Sequence, residues 1–346
     1  MVSAFSSAEQ YQPVESVDYA GRALAVQFST AQQEYEAARQ RAGLFDRSDR
    51  GLIAVTGKDR KSWLHNLVTN AVKTVADGAG TYAFALDVKG RIQFDLNILA
   101  LAERLWVDVD ANYLAAALKH LDRYHISEDV RLADQTAAFA RLGVAGPEST
   151  AIATRLGVSG LGDMPALSQQ ALSAGVVLVR HDFAGHMGFE LLVPIAAAAQ
   201  WWDRLAGDLS VTPVGQAALD VLRIEAGIPW MGRDLDEKVV APETGQLARA
   251  VSYNKGCYLG QEVVERMRSH GALPRRLVRL ACNDGPHLSL PTPILRENTD
   301  VGRVTSLVAH PTEGKRIGLG YLKSAVADGA GLTAGDPPIE LQLLPA

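Results

Sequence analysis

From Pro274 onward the chain changes texture, and that change limits the folds open to it. The segment breaks into short strand-like runs, 277–282, 302–308 and 316–322, separated by Gly, Pro and Asn. Runs of that length and spacing build a small barrel or sandwich. Ahead of them, helical and strand-like patterns are mixed. The sequence therefore predicts an α+β module over 1–273 and a β-rich domain over 274–346, with the boundary near residues 271–274. A length of 346 residues fits this division, because one core rarely grows so large.

Within the first module the start is polar and reads as irregular. Residues 31–42 read as a helix ending at Gly43, 51–56 as a short strand, and 58–67 as a helix with Trp63, Leu64, Leu67 and Val68 on one stripe. Residues 81–87 and 91–99 read as two strands joined by a tight turn at Lys89-Gly90. The second alternates without error: Ile92, Phe94, Leu96 and Ile98 face one way, Arg91, Gln93, Asp95 and Asn97 the other. Such a polar face is either solvated or lines a ligand pocket. Residues 110–121 read as a helix, and Pro147 as the first position of the next one. Residues 176–183 and 187–193 form an expected hairpin around Gly185, followed by a helix over 196–205. Thr212-Pro213 reads as a helix start, with Leu219, Val221, Leu222 and Ala226 on the apolar side and Gly227 and Pro229 as the stop.

Several chemistries are excluded. There is no GxxxxGK[ST] phosphate loop, no GxGxxG, no HExxH and no GxSxG. His120 and His125, and His181 and His186, are five apart, which does not place two imidazoles on one helix face, so no metal is expected. Two cysteines cannot build a disulfide framework, and they cannot ligate an iron–sulfur cluster within this chain alone. A reducing, cytoplasmic setting is expected. Residues 1–12 lack a basic leader, and no apolar run reaches membrane-spanning length. A net charge of −5 argues against a dedicated nucleic-acid binder. A basic cluster does follow residue 265: Arg266, Arg268, His270, Arg275, Arg276 and Arg279. It is either a solvated helix end or an anion site, for a carboxylate-rich tail or a weak tRNA contact.

The densest signal is Lys255-Gly256-Cys257-Tyr258-Leu259-Gly260-Gln261-Glu262. Residues 261–268 read as a helix that stops at Gly271. Cys257 lies shortly before that helix and two residues from Lys255. Both neighbours favour a thiolate. The competing reading is a small buried apolar residue. Cys282 sits in an apolar strand with Leu277, Val278 and Leu280 and is expected to be inert.

These eight residues resemble the KGCYxGQE signature of the YgfZ-type folate-binding proteins, in the superfamily of the glycine cleavage T protein. The resemblance covers most of the chain. Residues 42–46 (Ala-Gly-Leu-Phe-Asp), 51–57 and the Trp63 helix resemble the superfamily's opening, and Gly90 to Leu96 its second hairpin strand. Gly188-Phe189-Glu190 ahead of Pro194, and residues 222–227 with Gly232, Asp234, Glu237 and Pro242-Glu243, resemble its centre. Residues 302–306 and 318–321 resemble its C-terminal barrel.

The resemblance implies a three-lobed T-protein-like fold with a central folate pocket and tetrahydrofolate as cofactor. By motif, Asp95 matches the aspartate against which the T protein positions folate, Tyr82 a folate-contacting tyrosine, Glu190 the pterin-binding glutamate and Arg223 an arginine near the ligand tail. Lys255 joins them as a binding residue, and Cys257 and Asp95 are the candidate catalytic residues. A pterin offers a row of N–H donors, so a carboxylate is its natural partner. The T protein carries two adjacent aspartates where this chain has Phe94-Asp95, and it lacks the KGCYxGQE signature. Both departures point to the YgfZ branch, which resembles maturation or repair factors for iron–sulfur proteins, including tRNA-thiolating enzymes. The implied function is a folate-binding accessory factor for iron–sulfur client proteins; the alternative is a folate-dependent aminomethyl or other one-carbon transferase.

Overall fold

The structure, a computed structural model, describes residues 11–271 and 273–345. The expectation for the extreme N-terminus falls almost entirely outside them, as do Ala272 in the boundary segment and the side chain of His270. The chain divides into two compact units. One comprises Met1–Ala85, Phe94–Leu219 and Arg249–Tyr258; the other comprises Leu86–Gln93, Asp220–Ala248 and Leu259–Ala346.

The first unit is built on two sheets. A six-stranded sheet runs Gln169–Ala171, Val177–Arg180, Gly188–Pro194, Phe139–Ala145, Gly43–Asp46, Thr212–Val214. A five-stranded sheet runs Gly80–Leu86, Ile92–Ala100, Leu105–Asp110, Arg50–Thr56, Arg131–Asp134, with its 86–93 turn grouped in the second unit. Each sheet covers its own apolar core. Trp201, Trp202 and Leu205 fill one, and Trp63, Leu64 and Phe94 the other. The second unit carries a closed six-stranded barrel that begins at Arg275–Asn283 and ends at Ile339–Leu343. Of the two β architectures open to the sequence, the barrel is the one formed.

The alternating strand Ile92–Ala100 behaves as expected on one side: Ile92, Phe94, Leu96 and Ile98 are fully buried. Its polar side is solvated only at the start, where Arg91 is exposed and Gln93 half-buried. Asp95 is 7% exposed and Asn97 4%. A strand buried on both faces must pair its polar atoms inside the protein.

Three local expectations change. The polar start contains a hairpin, Glu15–Tyr19 with Arg22–Gln27, turning on Ala20 and Gly21, both at positive φ. Thr212-Pro213 does not open a helix. It forms an edge strand parallel to Gly43–Asp46, and the helix starts at Gln216. An edge tolerates a proline, which has no N–H to offer a ladder. Pro147 precedes the cap Glu148, so the short helix is Ser149–Arg155.

Candidate functional site

Neighbouring strands of the first unit bring several charged side chains into one buried network. Ile92–Ala100 supplies Asp95 and Asn97, Leu105–Asp110 supplies Asp108, and Arg50 opens the next strand. Phe139–Ala145 supplies Arg141 and Gly188–Pro194 supplies Glu190. Asp108 is fully buried and takes hydrogen bonds from Arg50 Nε (2.9 Å), Asn97 Nδ2 (2.6 Å) and Arg141 Nη2 (3.0 Å). Arg141 also donates to Glu190 Oε2 (Nε, 3.0 Å), while Arg47 Nη1 donates to Glu190 Oε1 at 2.8 Å. His181 Nδ1 lies 3.1 Å from Glu190 Oε2. Arg47 closes the chain with a two-pronged contact to Asp49.

Burial alone would raise the Glu190 carboxyl. The Arg141 and Arg47 guanidiniums reverse that and hold it well below its ordinary value. Asp108 is held down the same way, with burial opposed by Arg141 and Arg50. Asp46 has no direct ion pair among the described residues. It accepts from Ser48 N and Oγ, and burial pushes its carboxyl up to about 7. A raised acid is favoured in its protonated form, so its contribution to stability is full below about pH 4 and is lost as pH rises towards 7. Asp46→Asn removes that slope. Its stability relative to the parent should improve by roughly 2–4 kcal/mol between pH 4.5 and 8, read by urea unfolding. A pH-independent difference would show an ordinary carboxylate.

The open end of the network is Asp95. Its charge is felt by Arg50, which links it to Asp108 and so to Glu190. Tyr82 Oη donates to Asp95 Oδ2 at 3.1 Å. Asp95 Oδ1 is buried and accepts nothing, whereas Asp49, Asp108 and Glu190 have both oxygens engaged. The Arg249 guanidinium lies 4.0 Å from the centroid of the Tyr82 ring. Burial, and then the Asp95 charge, push the Tyr82 hydroxyl well above its usual value, so it remains a donor at neutral pH.

The expected site residues therefore have different circumstances. Tyr82 and Asp95 share a hydrogen bond beside an unused acceptor. Glu190 is connected to them through the network, but it is sealed and internally neutralised. In the second unit Arg223 is fully buried and gives all its donors to neighbours: Asp220, Asp234, Ser306 Oγ and the Ile228 carbonyl. No N–H remains for a ligand tail. Lys255 donates to the carbonyls of His65, Val68 (2.6 Å) and Asn70 (3.0 Å), closing the end of the Arg60–Leu67 helix. Burial lowers its amine to about 8. Its donors serve the backbone, not a ligand. Cys257 is exposed, and Cys282 is buried with its thiol pushed up by that burial. The basic segment is largely committed: Arg275 grips Glu243 with two hydrogen bonds, and Arg276 and Arg279 donate to backbone carbonyls. Among the described residues no three His, Cys, Asp or Glu gather as a metal site.

Sequence reasoning missed Arg47, Arg50, Asp108 and Arg141. A signal existed for Asp108. Leu105, Val107 and Val109 alternate with Trp106, Asp108 and Asp110, the same pattern that marked Asp95.

Residues 2–255 match the family described as the GCVT N-terminal domain, and residues 275–336 match the glycine cleavage T-protein C-terminal barrel domain. The chain belongs to the glycine cleavage T-protein family. Its relatives include the aminomethyltransferase of Rubrobacter xylanophilus, 30% identical over 332 residues and covering 95% of this chain and 89% of that one. The aminomethyltransferase of Geobacillus kaustophilus is 32% identical, covering 90% and 88%. The crystal structure of the glycine cleavage system aminomethyltransferase T from Bartonella henselae superposes with a TM-score of 0.86, covering 96% of this chain and 93% of that one, at 22% identity. That likeness establishes a T-protein fold. Within this T-protein-family chain, no helix among the described residues is long and apolar enough to cross a membrane.

Proposed function

We propose that this chain binds tetrahydrofolate at the Asp95–Tyr82 pair and handles a one-carbon unit there. The observation that carries the proposal is the unpartnered, buried Asp95 Oδ1. An unsatisfied buried acceptor costs about 1–3 kcal/mol, and a ligand N–H removes that cost. Reduced folate presents such donors on its pterin and carries one-carbon units on a ring nitrogen and on the neighbouring bridging nitrogen. Tyr82 orients the carboxylate by holding Oδ2, and the Arg249 stack fixes the Tyr82 ring. Arg50 lies close enough to feel the Asp95 charge, and Oδ1 is left as a buried acceptor for a ligand donor. Asp95→Asn should weaken tetrahydrofolate binding at least tenfold in a calorimetric titration, since an amide accepts more weakly than a carboxylate. Equal affinities would remove Asp95 from the site.

The relatives named aminomethyltransferase, near 30% identity over almost the whole chain, support folate-dependent group transfer as the activity. A second reading rests on a different observation, the exposed thiol of Cys257 within KGCYLGQE. It makes the chain a YgfZ-type accessory factor for assembly or repair of iron–sulfur proteins, including tRNA-modifying enzymes. An accessible thiol suits a nucleophile, a redox centre or a soft-metal ligand. A direct tRNA contact has less behind it, because Arg275, Arg276 and Arg279 are already engaged. Two assays separate the readings. Aminomethyl transfer should appear in a reconstituted glycine cleavage assay if the first holds. If the second holds, that assay is silent and Cys257→Ser lowers iron–sulfur enzyme activity in cells while Cys282→Ser does not.

A further inference from the structure

A cavity of about 520 Å³ lies within the second unit, beside the seam where the barrel's first and last strands meet. That seam is short. Arg275–Asn283 pairs with Lys315–Lys323 along its full length, but with Ile339–Leu343 only at Leu280–Leu343 and Ala281–Gln342. One further bond, Leu344 N–H to Arg279 C=O, extends it. Beyond that point the first strand's other edge is left to the cavity.

The lining combines apolar walls with positive charge that no carboxylate among the described residues cancels. Leu277, Val278, Leu319 and Leu343 form the walls. Arg279, on the same strand face as Leu277, supplies the charge; Arg276, three residues away on the same regular strand, points to the other face. Arg279 donates to the Glu225 carbonyl at 2.5 Å and to the Pro345 carbonyl; Arg276 donates to the carbonyls of Ser324 at 3.4 Å and Val326 at 2.8 Å. Carbonyl oxygens position a guanidinium without cancelling its charge. Neither arginine pairs with a carboxylate among the described residues, whereas Arg275 on the same strand is neutralised by Glu243. Both keep N–H groups in excess of those two bonds, because a guanidinium has five. A volume of this size falls in the range of small-molecule sites.

We propose that this cavity is a binding site for a small amphipathic organic anion, with its apolar body against Leu277, Leu319 and Leu343 and its carboxylate at Arg279. The body removes apolar wall from water. The head gives Arg279 a charge-assisted partner. The site uses no residue of the Asp95 network and does not depend on the folate reading.

The test titrates the full chain with sodium decanoate and, separately, with decanol, by calorimetry. Decanoate should bind saturably and at least tenfold more tightly than decanol. Arg279→Gln should cost decanoate about tenfold, the scale of one charge-assisted hydrogen bond. Ala226→Trp places a large ring in the cavity from an exposed lining position and should abolish decanoate binding, with melting and tetrahydrofolate binding as in the parent. That variant keeps the test decisive if Arg279→Gln disturbs the chain's end. Absence of saturable decanoate binding, equal binding of decanol, or undiminished binding by Ala226→Trp overturns the proposal.

Discussion

Arg141→Ala should lower the free energy of unfolding by about 3–5 kcal/mol at pH 8. Arg141 is 6% exposed and joins two buried carboxylates, Asp108 and Glu190. Truncation leaves each with fewer cations than its burial requires. Arg50 still holds Asp108, and Arg47 still holds Glu190, so the loss is that of a broken network and not of two isolated charges. The pH dependence has a definite sign. In the parent both carboxyls sit below their ordinary values, so their contribution is present above about pH 4 and is lost as pH falls through the folded values. Without Arg141 both values rise and protonation relieves the strain. The difference between variant and parent should therefore shrink between pH 8 and pH 5. Urea unfolding at the two pH values reads both statements. A loss under about 1 kcal/mol, or one equal at both pH values, would mean the network is solvated.

The network also shows where sequence reading stops. Strict alternation in Ile92–Ala100 identified the strand and the side carrying Asp95. Alternation says nothing about what covers that side. The buried network on that side extends through Asp108 to Arg141 and Glu190, on strands of another sheet, and no local pattern connects them. The family resemblance pointed to Glu190 as a pterin-binding glutamate and to Arg223 as an arginine near the ligand tail, but it carried no information about the partners that surround each of them. Arg223 is saturated by Asp220 and Asp234, and Glu190 by two arginines. The barrel was legible because turn residues punctuate its strands at regular spacing. The Ala20-Gly21 hairpin was not, because alanine at positive φ carries no turn signal. Pro213 misled because one ring suits both a helix start and an edge strand.

The signature 255–262 is best understood by what each residue holds, and Gly260 carries the second large prediction. Gly260 has φ +80°, and a Cβ there would lie 2.4 Å from the Asp87 carbonyl oxygen, 3.0 Å from Leu86 Cβ and 3.2 Å from Gly90 Cα. Gly90 in turn has φ +73°, and its own Cβ would meet Val263 at 2.7 Å. The start of the Gln261–His270 helix thus rests directly on the turn that joins the strands bearing Tyr82 and Asp95. Lys255 is likewise occupied with the end of the Arg60–Leu67 helix, and Gly256 and Cys257 beside it are exposed. Gly260→Ala must move a backbone carbonyl as well as accept a left-handed conformation, so it should destabilise by about 3 kcal/mol or more. Gly271→Ala is the control: Gly271 also has positive φ, but a Cβ there meets nothing within 4 Å, so only the conformational cost of about 1 kcal/mol applies. Thermal and urea unfolding of the two variants should differ by at least 2 kcal/mol. Equal losses would mean that the turn yields freely to the helix and that Gly260 is in the signature for some reason other than this contact.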